Sequence, residues 1–95
     1  MRNILLFGAG RSASTLIKYL LDNSIDEQWK LIVVDASQEL AQQKTGDHER
    51  AVALGLDIHD TDQRRFLVQV AHIVISMLPA SLHYLVAEDC LLHKK

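Results

Sequence analysis

A short apolar run that stops at two closely spaced glycines constrains this chain more than any other feature. Residues 4–7 (Ile-Leu-Leu-Phe) form the run, and Gly8-Ala9-Gly10 ends it. Apolar residues then recur at helical spacing, at Ala13, Leu16, Ile17, Leu20 and Leu21. A buried strand that turns through glycines into a helix is the opening of a βαβ unit that binds a dinucleotide. The sequence therefore predicts an α/β fold with a phosphate-binding loop near its start.

The small residues of this loop, Gly8-x-Gly10-x-x-Ala13, have separate roles. Gly8 permits the tight turn, Gly10 lets a pyrophosphate approach the backbone, and Ala13 lets the helix pack closely on the strand. The free amides and the positive dipole end of that helix then face the anion.

An acid at the end of the second apolar run supports this interpretation. Residues 31–34 (Leu-Ile-Val-Val) precede Asp35, about 22 residues beyond Ala13, where a carboxylate binds the adenosine ribose hydroxyls. Asp35 would repel a 2′-phosphate, and neither Ala36 nor Ser37 offers the guanidinium that NADP usually needs. We therefore expect NAD as the cofactor, with NADP less favoured but open, because Arg11 in the glycine loop could reach a phosphate. A glycine turn with an incidental aspartate is the alternative.

The rest of the chain alternates strand and helix. The predicted strands are residues 3–7, 31–34, 51–54 and 72–76, and the predicted helices are residues 11–22, residues 37–45, one capped by Asp60 or Thr61, and one starting at Pro79. This order implies right-handed crossovers and a Rossmann-type, doubly wound parallel sheet of about four strands, in the order 3-2-1-4, with helices on both faces.

Side-chain positions follow from the same periodicity. On the third helix we expect Phe66, Leu67 and Val70 to face the core, and Arg64 and Arg65 to lie on an exposed face. The last helix carries an apolar stripe at Leu82, Leu85, Val86 and Cys90. Residues 25–30 form a polar connection in which Trp29 covers the edge of the core.

Composition limits the class of protein. The 95 residues, 48% of them hydrophobic, make one domain with one core, and a net charge of −2 argues against a nucleic-acid partner. No apolar run reaches the length of a membrane span, and no signal peptide precedes the first strand. The single cysteine, Cys90, fits a reducing compartment, so we expect a cytoplasmic protein. A complete fold of this type has about six strands, so residues 1–95 are expected to be the truncated front part of a larger enzyme whose substrate domain is absent.

Four loops at the carboxyl ends of the strands are the candidate site. The glycine loop holds the pyrophosphate, Asp35-Ala36-Ser37 selects the cofactor, Asp57-Ile58 borders the adenine, and Ser76-Met77-Leu78-Pro79 runs beside the ribose and nicotinamide. Asp57 could equally be only a loop cap. The five histidines show no metal-ligand spacing, so no metal is expected, and no catalytic group can be named.

The motifs after the third and fourth strands carry a family resemblance. Residues 73–79 (Ile-Val-Ile-Ser-Met-Leu-Pro), together with the Gly8-x-Gly10-Arg11-x-Ala13 loop and residues 56–60 (Leu-Asp-Ile-His-Asp), resemble the N-terminal NAD(P)-binding domain of saccharopine dehydrogenases, also called saccharopine reductases. The resemblance runs along nearly the whole chain. It implies NAD(P)-dependent hydride transfer at a secondary amine or imine in lysine metabolism, with an amino-acid substrate bound by the missing domain. The family also includes enzymes that act on carboxynorspermidine and related amines.

Carried over residue by residue, the resemblance implies a set of cofactor contacts. The positions that match the family's motifs are Gly8, Gly10, Arg11, Ser12 and Ala13 in the pyrophosphate loop, Asp57 and Ile58 on the adenine side, and Ser76, Met77, Leu78 and Pro79 along the nicotinamide half. Similar NADP-using members carry basic or hydroxyl residues after the second strand, whereas this chain has Asp35-Ala36-Ser37, which favours NAD.

Two other interpretations stay open. A nucleotide-sensing regulatory module of a potassium-transport system would share the glycine loop, the acid after the second strand and the Asp57-x-x-Asp60 stretch. A Rossmann-like fragment that binds nothing is the third. The Ser76–Pro79 turn and the helix behind it favour the dehydrogenase. Alone, the 95 residues should bind cofactor weakly and turn over no substrate, and an exposed apolar edge could drive pairing into a homodimer.

Overall fold

A computed structural model describes residues 2–93. In that range the chain forms four strands, β1 (Arg2–Phe7), β2 (Trp29–Asp35), β3 (Ala51–Gly55) and β4 (Ile73–Ser76), and five α-helices, α1 (Ser14–Asp22), α2 (Ser24–Glu27), α3 (Gln38–Thr45), α4 (Thr61–Val70) and α5 (Ala80–His93), with a 3₁₀ turn at Arg11–Ala13.

The four strands form one parallel sheet in the order β3-β2-β1-β4, which confirms the predicted 3-2-1-4 topology. Strand β1 is central, and Leu6 pairs with Val33 on one side and with Ile75 on the other. Its residues 4–7 are all buried, because a central parallel strand is covered on both faces.

Helices cover both faces of the sheet. Ile4 and Leu6 join the layer that contains Ile17 of α1 and Ala41 of α3. Leu5, Phe7 and Val34 join the opposite layer with Val68 of α4 and Val86 of α5. Successive β1 side chains alternate between the two layers, so each half of the core depends on the same strand.

The ends of several elements differ from prediction. Strand β2 begins at Trp29, inside the predicted connection, because its backbone pairs with Arg2 of β1. The short helix α2 overlaps the start of the predicted connection, and the helix predicted over residues 11–22 begins as a 3₁₀ turn. The indole of Trp29 packs against the α1 layer and donates a hydrogen bond to the Leu20 carbonyl at 2.6 Å.

Ser37 and Gly46, which the sequence also predicts as the N-cap and the C-terminal stop of the helix over residues 37–45, cap α3, and the predicted cap at Asp60 begins α4. Ser37 Oγ accepts a hydrogen bond from the Leu40 amide at 3.2 Å, and Asp60 Oδ1 accepts one from the Gln63 amide at 3.2 Å. Gly46 ends α3 with a φ of +60°, a conformation that favours glycine. Each cap satisfies a backbone group that the first or last helical turn leaves unpaired.

The inward face of α4 was predicted wrongly. Phe66 is 62% exposed and Val70 42% exposed, whereas Val68 is fully buried and Arg64 only 2% exposed. Leu67 is partly buried, as predicted. The helix is turned so that Arg64 and Val68, one turn apart, face inward, because Arg64 forms an ion pair with the buried Asp89 of α5.

Among the helices that the structure describes, none combines the length and the apolar character needed to cross a membrane.

Candidate functional site

The four predicted loops meet at the carboxyl end of the sheet. Backbone hydrogen bonds beyond the strands join them: the Gly8 amide donates to the Val34 carbonyl at 2.7 Å, and the Met77 amide donates to the Phe7 carbonyl at 2.8 Å. The Leu56 amide donates to the Asp35 carbonyl at 2.9 Å. The edge where an open α/β sheet binds its ligands is therefore continuous from β3 to β4.

The first glycine of the loop is required by its surroundings. Gly8 has a φ of +97°, and a Cβ at this position would lie 3.0 Å from the Met77 carbonyl oxygen. The turn at the end of β1 therefore packs directly on the backbone of the loop after β4.

The second glycine faces open space. A Cβ on Gly10 would have no atom within 4 Å of it, and Gly10, Arg11 and Ser12 are all exposed. No side chain caps the 3₁₀ turn that follows Gly10, and Ala13 behind it is buried. Uncapped amides at a helix start are the groups that bind a phosphate, so this backbone is open to an anion.

Asp35 is fixed between two of the loops. Its Oδ1 accepts a hydrogen bond from the Ala9 amide at 3.0 Å, and its Oδ2 accepts one from the Ser37 amide at 2.9 Å. A carboxylate has about four lone-pair positions, so two remain for a ligand's hydroxyls. Ala36 and Ser37 are exposed beside it, and the Ser37 hydroxyl also caps α3.

A cavity of about 200 Å³ opens next to Asp35. Its lining is mostly apolar and comes from β1, β2, the loops after β2, β3 and β4, and α5: Phe7, Val34, Asp35, Ala36, Leu56, Ile58, Leu78, Pro79 and Leu82. Pockets for drug-sized ligands begin at about 300 Å³, so this one suits a single ring system. It brings Ile58, Leu78 and Pro79 together with Asp35, although the sequence predicts that Ile58 borders the adenine and that Leu78 and Pro79 lie along the nicotinamide half.

Asp57 does not line this cavity. Its Oδ1 accepts a hydrogen bond from the His59 amide at 2.9 Å, and its side chain is exposed. This is the geometry of a loop cap, the alternative that the sequence left open.

A polar pair at the loop after β4 was missed from sequence. Ser76 Oγ lies 2.9 Å from His83 Nδ1, on the loop that carries the exposed Met77. The sequence contains one indication of this pair, because the last helix is predicted to start at Pro79. A helix that starts so soon after a strand keeps its first turn close to the end of that strand. The Pro79 carbonyl accepts hydrogen bonds from the amides of Leu82 and His83.

Cys90 packs against the α4–α5 layer, and burial, with the neighbouring Asp89 charge, raises the pKa of its thiol. In residues 2–93 no three His, Cys, Asp or Glu side chains are grouped to hold a metal ion.

A larger cavity, about 290 Å³, lies between β3 and α4. Leu54, Gly55, Phe66 and Leu67 line much of it. It contains no residue of the glycine loop and no predicted contact residue, so its size does not make it the better candidate.

Nearly the whole chain matches the model of a known protein family. The family model described as "Saccharopine dehydrogenase NADP binding domain" matches residues 4–95. No curated protein sequence matches the chain significantly.

A saccharopine dehydrogenase and a dehydratase are among the solved structures that share the fold. The apo histidine-tagged saccharopine dehydrogenase (L-Glu forming) from Saccharomyces cerevisiae has a TM-score of 0.86 and 23% identity, over 100% of this chain and 20% of that chain. The dTDP-glucose 4,6-dehydratase from Bacillus anthracis, in complex with NAD, has a TM-score of 0.65 and 19% identity, over 88% of this chain and 29% of that chain. At identities this low, the structural similarity establishes the fold alone. The chain spans about a fifth of the yeast enzyme's length.

Proposed function

The chain belongs to the family of saccharopine dehydrogenase NADP binding domains, and we propose that it holds the nicotinamide dinucleotide of a saccharopine dehydrogenase-like oxidoreductase. The enzyme transfers a hydride between this cofactor and a secondary amine or imine of lysine metabolism. The observation that carries the proposal is the open backbone at Gly10 beside a carboxylate, Asp35, that the Ala9 amide fixes in place.

The dinucleotide lies across the carboxyl end of the sheet. Its pyrophosphate binds the amides of residues 10–12, with the Arg11 guanidinium exposed beside them. The hydroxyls of the adenosine ribose donate hydrogen bonds to the Asp35 carboxylate, and the adenine enters the cavity between Ile58 and Pro79. The nicotinamide half runs past Ser76 and Met77. The cofactor supplies the hydride chemistry, and this chain binds and orients it.

We infer a preference for NADH over NADPH. A 2′-phosphate on the ribose would bring two negative charges next to the fixed Asp35 carboxylate, where like charges repel. The family description names NADP, and Arg11 is the cation nearest in sequence to the phosphate site. Ala36 and Ser37 provide no positive charge, which supports NADH.

Calorimetric titration with NADH and NADPH tests this proposal, with Asp35→Ala as the variant and Asp57→Ala as the matched control. Asp57 is also an exposed loop acid, but it lies off the cavity. We expect tighter binding of NADH than of NADPH in the wild type, a shift toward NADPH in Asp35→Ala, and no change in Asp57→Ala. No heat with either nucleotide from a folded wild-type sample contradicts the proposal.

Substrate binding is proposed to lie outside these residues. The chain spans 20% of the yeast saccharopine dehydrogenase, which leaves most of such an enzyme to bind an amino-acid substrate. The family match supports this interpretation over a nucleotide-sensing module of a transport system.

A further inference from the structure

An arginine and an aspartate form a buried ion pair between α4 and α5. Arg64 of α4 is 2% exposed and Asp89 of α5 is fully buried. Arg64 Nε donates a hydrogen bond to Asp89 Oδ2, and Nη2 donates to Oδ1 at 3.4 Å. Burying two charges is costly, and a pair of apolar side chains is often as stable. The stability of the core alone therefore does not explain the pair.

The same guanidinium makes a third contact, to the candidate site. Arg64 Nη1 donates a hydrogen bond of 2.6 Å to the carbonyl oxygen of Ile58. A guanidinium is a rigid planar fork, so the two bonds to Asp89 set the direction of the nitrogen that holds Ile58.

This contact fixes one wall of the adenine cavity relative to another. Ile58 lines the cavity from the loop after β3, and Leu82 lines it from α5. Asp89 belongs to the same helix as Leu82. The hydrogen bonds from Arg64 to the Ile58 carbonyl and to Asp89 therefore tie this loop to the helix that contributes Leu82 to the cavity.

The neighbouring Arg65 offers a comparison within the protein. Its Nε donates to Asp89 Oδ1 at 3.1 Å, and its side chain is 45% exposed. Arg65 has no hydrogen bond to Ile58 among the contacts of the described residues. It therefore binds the same carboxylate as Arg64 but does not hold the loop that contains Ile58.

We propose that Arg64, held by Asp89, is a positioning residue that keeps the Ile58 loop in the shape that binds the adenine half of the dinucleotide. This inference rests on the proposed function, because it presumes that the cavity takes the adenine.

The test is the affinity of the chain for two halves of the cofactor, AMP and reduced nicotinamide mononucleotide, together with its unfolding temperature. The main variant is Arg64→Met with Asp89→Leu, which leaves no fully buried charge unpaired, because Arg65, the other partner of Asp89, is 45% exposed. The matched control is Arg65→Met, which removes a positive charge from the same carboxylate. If the double variant does not fold, Arg64→Lys replaces it, because a lysine keeps the charge but cannot reach both Asp89 and Ile58 as a fork.

We expect the double variant to unfold near the wild-type temperature, to bind AMP about tenfold more weakly, as for the loss of one charge-assisted hydrogen bond, and to bind the nicotinamide mononucleotide unchanged. Arg65→Met should bind both halves as the wild type does. Unchanged AMP affinity in the folded double variant, or in Arg64→Lys, overturns the proposal, and so does an equal loss for both halves. A wild-type chain that binds neither AMP nor NADH overturns the proposed function, and this inference with it.

Discussion

The two glycines of the phosphate loop differ in what surrounds them. Gly8 combines a positive φ with a close approach to the Met77 carbonyl, whereas Gly10 has extended backbone and open space where a side chain would be. A side chain on Gly8 therefore strains the folded chain, and one on Gly10 only occupies the space that a ligand needs.

Alanine at each glycine separates stability from binding. We expect Gly8→Ala to lower the free energy of unfolding by about 2 kcal/mol, the cost of a left-handed conformation without glycine. Gly10→Ala should leave the free energy of unfolding within about 0.5 kcal/mol of the wild type and weaken NADH binding. Urea denaturation and calorimetry measure the two effects. Equal destabilisation by both variants would show that Gly10 is also needed by the fold.

The pKa of the Cys90 thiol reports on the environment around the buried Asp89. Burial, and then the Asp89 charge, raise the pKa of the thiol, so the folded chain holds the thiol proton more tightly than the unfolded chain. We expect the pH midpoint of Cys90 alkylation to be higher in the folded chain than in the same chain in urea. A folded midpoint at or below the unfolded one would contradict this placement of Cys90.

At the scale of the elements, α4 is where tertiary contacts change a local pattern. Helical spacing alone makes Phe66 and Val70 good core residues, but they lie on the outer side, and Arg64, Val68 and then Ala71 face inward. The orientation of α4 accompanies the hydrogen bond from Arg64 to Asp89, which lies 25 residues further along the chain. The local spacing of apolar residues cannot predict a contact between residues so far apart.

Two truncations on α4 test this orientation. Val68→Ala removes buried methyl groups and should cost about 2 kcal/mol of the free energy of unfolding. Phe66→Ala removes a side chain that is 62% exposed and should cost less than about 1 kcal/mol, although it is the larger change. Thermal or urea unfolding distinguishes them. A greater loss from Phe66→Ala would restore the orientation expected from the sequence.

Local chemistry accounts for most of what could be predicted. The strand order follows from the alternation of apolar runs with helical spacing, and the caps at Ser37 and Asp60 follow from side chains that bind nearby amides. The spacing of the small residues predicts the glycine loop, and the distance from that loop predicts the role of Asp35. The Arg64–Asp89 pair and the Ser76–His83 pair were missed, because each depends on how two separate elements pack. The earlier start of β2 was missed for the same reason, because its first residues are held by pairing with the separate strand β1.

At the scale of the whole molecule, the last helix leaves apolar side chains uncovered. Leu91 is 82% exposed and Leu92 61% exposed, and Tyr84 on the same helix is also exposed. Exposed apolar groups on one element commonly mark a contact surface.

We therefore expect the chain to self-associate as its concentration rises. Leu91→Lys with Leu92→Lys should reduce the association in sedimentation experiments. Tyr19→Lys, which changes an exposed aromatic residue on α1, should not. A wild-type chain that stays monomeric at every concentration would contradict the expected pairing.

A nicotinamide dinucleotide should bind at the carboxyl end of the sheet. At 10.7 kDa the chain suits amide NMR, so titration of the ¹⁵N-labelled chain with NADH locates the bound cofactor residue by residue. We predict that the largest shifts fall on the amides of Ala9, Gly10, Arg11, Ser37 and Ile58. Shifts confined to the cavity between β3 and α4, around Gly55 and Phe66, or no shifts at all, would contradict the account.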